Sequence, residues 1–218
     1  MAGVFITLEG GEGSGKSTQA QLLKSWFAEA FPRREILVTR EPGGTEQAEE
    51  IRAILVNGAT DKLSVQAEAL LMIAARTEHV QKIIQPALRR DAIVICDRFS
   101  DSTLVYQGLA HDKDITLLRS IHQFGFGDLR PDLTFVLDLP PEQGLKRAEA
   151  RVQAQNTESR FEEKGLAFHS RVRDGFIELA AQEPDRIVII DASGTPEHTD
   201  KLVKQQLTNR LTLHDQPT

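Results

Sequence analysis

Short apolar runs rich in β-branched residues punctuate the chain at Val4–Leu8, Ile36–Thr39, Ala92–Cys96, Leu133–Leu137 and Ile187–Ile190. They are too short for helices and show little polar alternation, so they read as strands buried on both faces. Between them lie longer stretches with helical character: Lys16 to beyond Trp26, Thr45 to Val56, Val65 to Leu88, Asp114 to Phe124, Pro141 to about Val152, Glu162 to Ala181 and Pro196 to Leu211. Strand alternating with helix predicts an α/β doubly wound fold, a parallel sheet of about five strands with helices on both faces. The polar segment Gln153–Arg160 lacks apolar periodicity and reads as an exposed loop joining two helices. With no internal repeat, one domain over residues 1–212 is expected, followed by a frayed tail at 213–218.

Composition narrows the class without changing this picture. The 218 residues are 40% hydrophobic and 27% charged, as in an ordinary globular protein. A net charge of −6 provides no overall basic field to gather nucleic acid. Val4–Leu8 is far too short to span a bilayer, and the N-terminus lacks the pattern of a secretory signal. The expectation is a cytoplasmic protein with neither a membrane nor a nucleic-acid partner. Cys96, the lone cysteine, sits among Ile93, Val94 and Ile95 and reads as a buried strand residue rather than a reactive thiol.

The strongest chemical signal is Gly10-Gly11-Glu12-Gly13-Ser14-Gly15-Lys16-Ser17, followed by Thr18. It fits glycine, four free positions, glycine, lysine and serine, the pattern of a phosphate-binding loop for ATP. A glycine-rich turn with an incidental lysine would satisfy the bare pattern. Here, however, the loop follows a strand and opens a helix, where backbone N–H groups and the positive helix end converge on phosphate. Lys16 then bridges the β- and γ-phosphates and Ser17 holds magnesium. A second strand, Ala92–Cys96, ends in Asp97-Arg98. Ligands of open parallel sheets sit beyond the carboxyl ends of strands, which puts this pair beside the loop. Asp97 can orient magnesium or its waters and Arg98 can neutralise an acceptor phosphate, although a plain surface salt bridge is the alternative.

Two classes share such a loop: kinases and nucleotide-driven switches. Asp191-Ala192-Ser193-Gly194 matches a short switch pattern but follows the last strand, remote from where a switch segment belongs, and no Asn-Lys-x-Asp guanine-reading segment occurs. A kinase needs further cations for its acceptor, and Arg40, Arg76 and Arg98 lie at loop or helix positions that could serve. The kinase reading is preferred over the switch.

Beyond the loop, the chain contains Thr39-Arg40-Glu41-Pro42-Gly43-Gly44-Thr45, Ala74-Ala75-Arg76, Asp97-Arg98-Phe99 with Ser102, Tyr106-Gln107-Gly108, Pro131-Asp132-Leu133 and Gly144-Leu145-Lys146-Arg147. On these motifs it resembles the thymidylate kinases of the bacterial type from about Val4 to beyond Ala180. The resemblance implies a P-loop nucleoside-monophosphate kinase fold, phosphorylation of dTMP to dTDP by ATP with Mg2+ for dTTP synthesis, and a homodimer. A kinase for another nucleoside monophosphate is the alternative. It further implies that Arg40 and Arg98 grip the acceptor 5′-phosphate, Arg76 reads the thymine edge, and Ser102, Thr103 and Gln107 lie beside the acceptor. Glu12 would stand near the sugar 3′-hydroxyl and the magnesium. Tyr106 would crowd the 2′ position and so favour deoxyribose, packing alone being the plainer reading of that ring. The loop at 151–161 resembles the family's mobile lid. Residues 10 to 17 contain no arginine, so Arg151 and Arg160 would supply the charge that neutralises the transferring group. Two departures stand out: Met72 where a phenylalanine usually stacks on thymine, and Ser159 where an aspartate usually precedes the lid arginine.

Overall fold

The computed structural model describes residues 3–57, 59, 62–155, 161 and 164–211, and for 151–155 the backbone alone. Five strands form one parallel sheet: β1 (Val4–Glu9), β2 (Ile36–Arg40), β3 (Ile93–Asp97), β4 (Leu133–Asp138) and β5 (Ile187–Asp191), in spatial order β2-β3-β1-β4-β5. The three inner strands are almost wholly buried, whereas β2 is half-exposed and β5 alternates near its end, as edge positions allow. Each expected strand is present, within a residue at either end.

Strand alternation divides the core between the two faces of the sheet. Val4, Ile6 and Leu8 of β1 pack with Ile93, Ile95, Phe135 and Leu137 on one face. That layer is covered by α1 (Lys16–Ala30), through Ala20, Leu23 and Phe27, and by α9 (Pro196–Arg210), through Val203 and Leu207. On the other face Phe5, Val94 and Cys96 meet Val80, Ile84 and Ala87. These three come from one long helical run: α3 (Val65–His79), a π-helical turn (Val80–Ile84) and α4 (Gln85–Arg89). The remaining helices are α2 (Glu46–Val56), α5 (Ser100–Thr103), α6 (Thr116–Phe126), α7 (Pro141–Gln155) and α8 (Leu166–Gln182).

Three expectations about helices need correction. The backbone of α7 continues to Gln155, so residues 153–155 are helical and not loop. Helix α8 begins at Leu166 rather than Glu162, because Gly165, with φ 76°, breaks the chain direction just before it. The structure also contains a helical segment that the apolar period did not reveal: α5, a π-helical turn (Leu104–Gly108) and a 3-10 turn (Leu109–His111). Changing helical pitch within twelve residues smears any 3.6-residue repeat. The expected lid residues 156–160, with Ser159 and Arg160, and the tail at 213–218 lie outside the described residues.

The turn into α5 is fixed by Phe99, fully buried. Its ring meets Phe5 edge-on at 4.9 Å and Phe126 at 5.6 Å, with the Arg76 guanidinium 5.3 Å from its centroid. Phe99→Ala is expected to destabilise the fold by about 3–5 kcal/mol in urea unfolding. A loss below about 1 kcal/mol would show that the ring does not anchor this turn.

Candidate active site

The loop from Gly10 to Gly15 leaves β1 and enters α1 at Lys16. Gly10, Gly13 and Gly15 have φ of 129°, 67° and 90°, values that side chains resist. Gly13 is also sterically required: a Cβ there would strike the carbonyl oxygen of Gly144 at the start of α7. Lys16 Nζ folds back over the loop, donating to Gly11 O at 2.8 Å, Gly10 O at 3.2 Å and Ser14 Oγ at 3.2 Å. Burial, reinforced by Arg98, lowers its pKa to about 8, against the opposing pull of Glu12, Asp97 and Glu9. Such an ammonium is short of countercharge, which suits it to phosphate oxygens.

Ser17, one residue on, donates its hydroxyl to Asp97 Oδ2 at 2.6 Å. The hydroxyl of the loop and the carboxylate at the end of β3 are thus brought together, as the spacing of the two motifs predicted. Both are hard oxygen donors on the exposed side of the loop, the donor type that magnesium takes. A second cluster, Glu41, His79 and Cys96, has its ligand atoms within 4.8 Å of one another. Its groups are already engaged: Glu41 by Arg76 and His79, and the Cys96 thiol by Arg98 O. Burial also pushes that thiol well above its ordinary range.

Arg98 follows Asp97 with φ 68°, an unusual conformation for a bulky side chain. The turn aims its guanidinium at Glu12 Oε1 (2.7 Å), Gly10 O (3.1 Å) and Ser102 Oγ (3.2 Å). The same Glu12 oxygen accepts the Tyr106 hydroxyl at 3.1 Å, and Arg98 lies 5.0 Å above the Tyr106 ring. Burial raises the Glu12 pKa, yet Arg98, Lys16 and the Tyr106 hydrogen bond overcome it and lower the carboxyl to about 2. Burial likewise opposes the charge of Arg98, and its acidic neighbours outweigh it and hold it firmly protonated. Tyr106 is both core and site: its ring is flanked by Phe161, Phe168 and Phe176 at 6.0 to 6.3 Å while its hydroxyl reaches Glu12.

Of the other expected acceptor residues, Arg40 is exposed and paired with Glu49 at 2.9 Å. Met72 is partly buried against the cluster that contains Tyr106. Arg76 is not a free cation. Only 2% of its side chain is exposed, and it donates to Glu41 (2.5 Å), Thr103 Oγ1 (2.9 Å) and Phe99 O (2.9 Å), with His122 at 3.3 Å. Burial and the adjacent Arg76 push His122 down to about 3, so it faces that cation as neutral imidazole. Arg76 therefore holds α5, and Thr103 with it, at a set height over α3. The Arg151 side chain and all of Arg160 lie outside the described residues.

Two site features were not anticipated. Arg52 of α2 donates to Pro42 O at 2.9 Å, and its pKa is lowered by burial and then by the like charges of Arg40 and Arg98 nearby. Arg40, Arg52 and Arg98 thus form a basic cluster at the mouth of the site. Arg52 shares a helix face with buried Ala48 and Leu55, and a cation on a core-facing stripe was the available signal. The segment after β5 also reaches the donor side: Arg147 donates to Ala192 O and Ser193 O, and Gln19 of α1 to Pro196 O. Its place beyond the carboxyl end of a strand is where a nucleotide base can lie, and these bonds tie it to α7 and α1, the helices that adjoin the phosphate loop.

A phosphate loop, an oxygen pair for a metal and an arginine cluster beside them define a P-loop kinase of nucleoside-monophosphate type. Comparison with known proteins sharpens this. The thymidylate kinase family model matches residues 8–203. Thymidylate kinase of Caulobacter vibrioides is 48% identical over 97% of this chain and 99% of its own, and that of Geobacter sulfurreducens 46% over 96% and 98%. The crystal structure of thymidylate kinase from Ehrlichia chaffeensis superposes with a TM-score of 0.76 at 33% identity, covering 95% of this chain and all of that one. The chain belongs to the thymidylate kinase family.

Beneath the site, Glu9 at the end of β1 is fully buried and accepts Phe99 N (2.7 Å) and Ser102 Oγ (2.5 Å). Burial and the neighbouring Asp101 raise its pKa from 4.5 to about 7. The folded state therefore binds this proton more tightly than the unfolded chain. The stabilisation is complete below pH 4.5 and is lost as pH rises through 7, on the order of 3 kcal/mol in all. Urea unfolding of Glu9→Gln should lack this slope between pH 4.5 and 7, and a slope equal to that of the wild type would exclude Glu9 as its source.

Proposed function

We propose that the protein transfers the γ-phosphoryl group of ATP to dTMP, yielding dTDP and ADP for dTTP synthesis. The observation that carries this reading is the juxtaposition of the phosphate loop with Arg98, Glu12 and Tyr106 at adjoining strand ends, in a chain of this family. The backbone of residues 10–17 cradles the donor phosphates, with Thr18 in the first turn of α1 behind them. Lys16 exchanges its contacts with the Gly10 and Gly11 carbonyls for phosphate oxygens. Ser17 and Asp97 fit Mg2+ as ligands, directly or through water, and the ion when bound would offset charge on the donor phosphates.

On the acceptor side Arg98, Arg40 and Arg52 hold the monophosphate in line with the loop. Glu12 steers Arg98 and keeps the Tyr106 ring in place, where it crowds C2′ of the sugar. Met72, Ser102, Thr103 and Gln107 surround the base, and Arg76 orders that wall from behind. Arg151 and Arg160 are the proposed source of further positive charge for the transferring group. A cytoplasmic site of action is part of the same proposal; no helix among the described residues is long and apolar enough to cross a membrane.

A coupled ADP-release assay against deoxy- and ribonucleoside monophosphates is expected to place dTMP first. Lys16→Met should lower kcat at least roughly 100-fold, in line with removal of one charge from a transition-state site. ADP release that needs no acceptor, or wild-type turnover by Lys16→Met, would overturn the reading.

A homodimer is part of the same proposal. Ile54 of α2, Leu70 of α3, and Leu117 and Phe124 of α6 are 45%, 55%, 67% and 92% exposed. These helices adjoin, α2 against α3 and α3 against α6, so the apolar side chains are offered on neighbouring surfaces, as an isologous interface requires. Sedimentation should show a dimer for the wild type and a monomer for Phe124→Asp. A dimer unaffected by Phe124→Asp would place the interface elsewhere.

A further inference from the structure

Glu68, Met72 and Arg76 occur at intervals of four on α3 and share one face. Arg76 is locked by its own partners and Met72 is apolar, which leaves Glu68 as the polar member at the far end of the row. It is 2% exposed, and its Oε1 accepts Gln107 Nε2 at 2.7 Å. Lys164 Nζ lies 3.5 Å from that same oxygen and 4.7 and 5.2 Å from the Phe168 and Phe161 rings, which themselves flank Tyr106. A buried carboxylate is thus wedged between an ammonium just past the lid segment and an amide in the acceptor wall.

This arrangement decides which way the Gln107 amide faces. A side-chain amide offers two donors at one end and an acceptor at the other, and the ends are interchangeable in shape. A carboxylate paired with an ammonium can only accept, so it must receive the NH2 end. Gln107 Oε1 is therefore turned away from Glu68, and no hydrogen bond among the described residues occupies it. An amide oxygen fixed in this way can accept from a ligand.

We propose that Glu68 is a positioning residue for base choice: it presents the Gln107 carbonyl oxygen to the acceptor base and so favours a pyrimidine with a ring N–H. Thymine carries that hydrogen at N3. Cytosine carries a lone pair there, which would face the amide oxygen and leave both acceptors unpaired. A site built to accept a substrate N–H rejects the analogue without it far more strongly than an apolar wall could. The inference rests on the reading that dTMP is the acceptor and that Gln107 lines its site.

The test compares kcat/KM for dTMP and dCMP in the purified full chain. In Glu68→Gln the amide at position 68 can donate as well as accept, which frees Gln107 to turn. The dTMP to dCMP ratio should fall by roughly 10-fold or more, through opposite changes in the two KM values, with kcat for dTMP and KM for ATP near wild type. Glu68→Asp, still an acceptor only, should restore the ratio. An unchanged ratio in Glu68→Gln, or equal loss with both nucleotides, would overturn the proposal. Should Glu68→Gln fail to fold by circular dichroism, Gln107→Leu answers the same question: the ratio must fall there too, and a wild-type ratio would again overturn it. A wild-type enzyme without preference for dTMP would instead overturn the acceptor assignment itself.

Discussion

The pairing of Arg98 with Glu12 is the contact around which this site is arranged. One partner belongs to the loop after β1 and the other to the turn after β3, so this charged hydrogen bond ties the donor half to the acceptor half, beside the Ser17–Asp97 and Arg98–Gly10 contacts. Both groups are largely withdrawn from solvent, and an isolated charge in either position would be strongly disfavoured. Each is tolerable because the other is present, with Lys16, Tyr106 and Asp97 sharing the surrounding field. The left-handed backbone at Arg98 is what directs the guanidinium inward, and Glu9 holds the next residue and Ser102 so that this turn keeps its shape.

The acceptor side is assembled by buried polar groups to an unusual extent. Glu41 bridges Arg76 and His79, His79 reaches Thr39, and Arg76 reaches Thr103 and Phe99. Asp101 on the opposite side of α5 accepts a two-pronged contact from Arg186 at 2.7 and 3.0 Å. The short helix is thereby gripped from two sides by directional bonds, where apolar packing would leave it free to slide. Placement of Ser102, Thr103 and Tyr106 follows from that grip.

Much of this could be read in the chain before folding. The five apolar runs and the glycine loop carry local signals, a period and a spacing, and these translate directly into β1–β5 and the phosphate site. Asp97 and Arg98 were locatable because they end a strand. Less was visible wherever a role depends on contacts distant in sequence. The enclosure of Arg76 depends on Glu41, Phe99, Thr103 and His122, none of them a helical neighbour. Arg52 carries no motif, and only its place on the apolar stripe of α2 marks it. The α5 segment escaped because its pitch changes from α to π to 3-10 in a dozen residues, and the early end assigned to α7 arose because Gln153–Gln155 have polar side chains that a solvated last turn accommodates as readily as a loop does.

The close approach of Gly13 to Gly144 makes α7 something other than a cover for the sheet. Its first turn rests directly on the phosphate loop, backbone against backbone with no side chain between them, and its far end, Gln155, is eleven residues further on. At 1.5 Å per residue that is an arm of about 16 Å. A tilt of about 5° at the glycine fulcrum would displace the tip by about 1.4 Å, so a shift too small to notice around a phosphate becomes a movement comparable to a bond length where the helix hands over to residues 156–160.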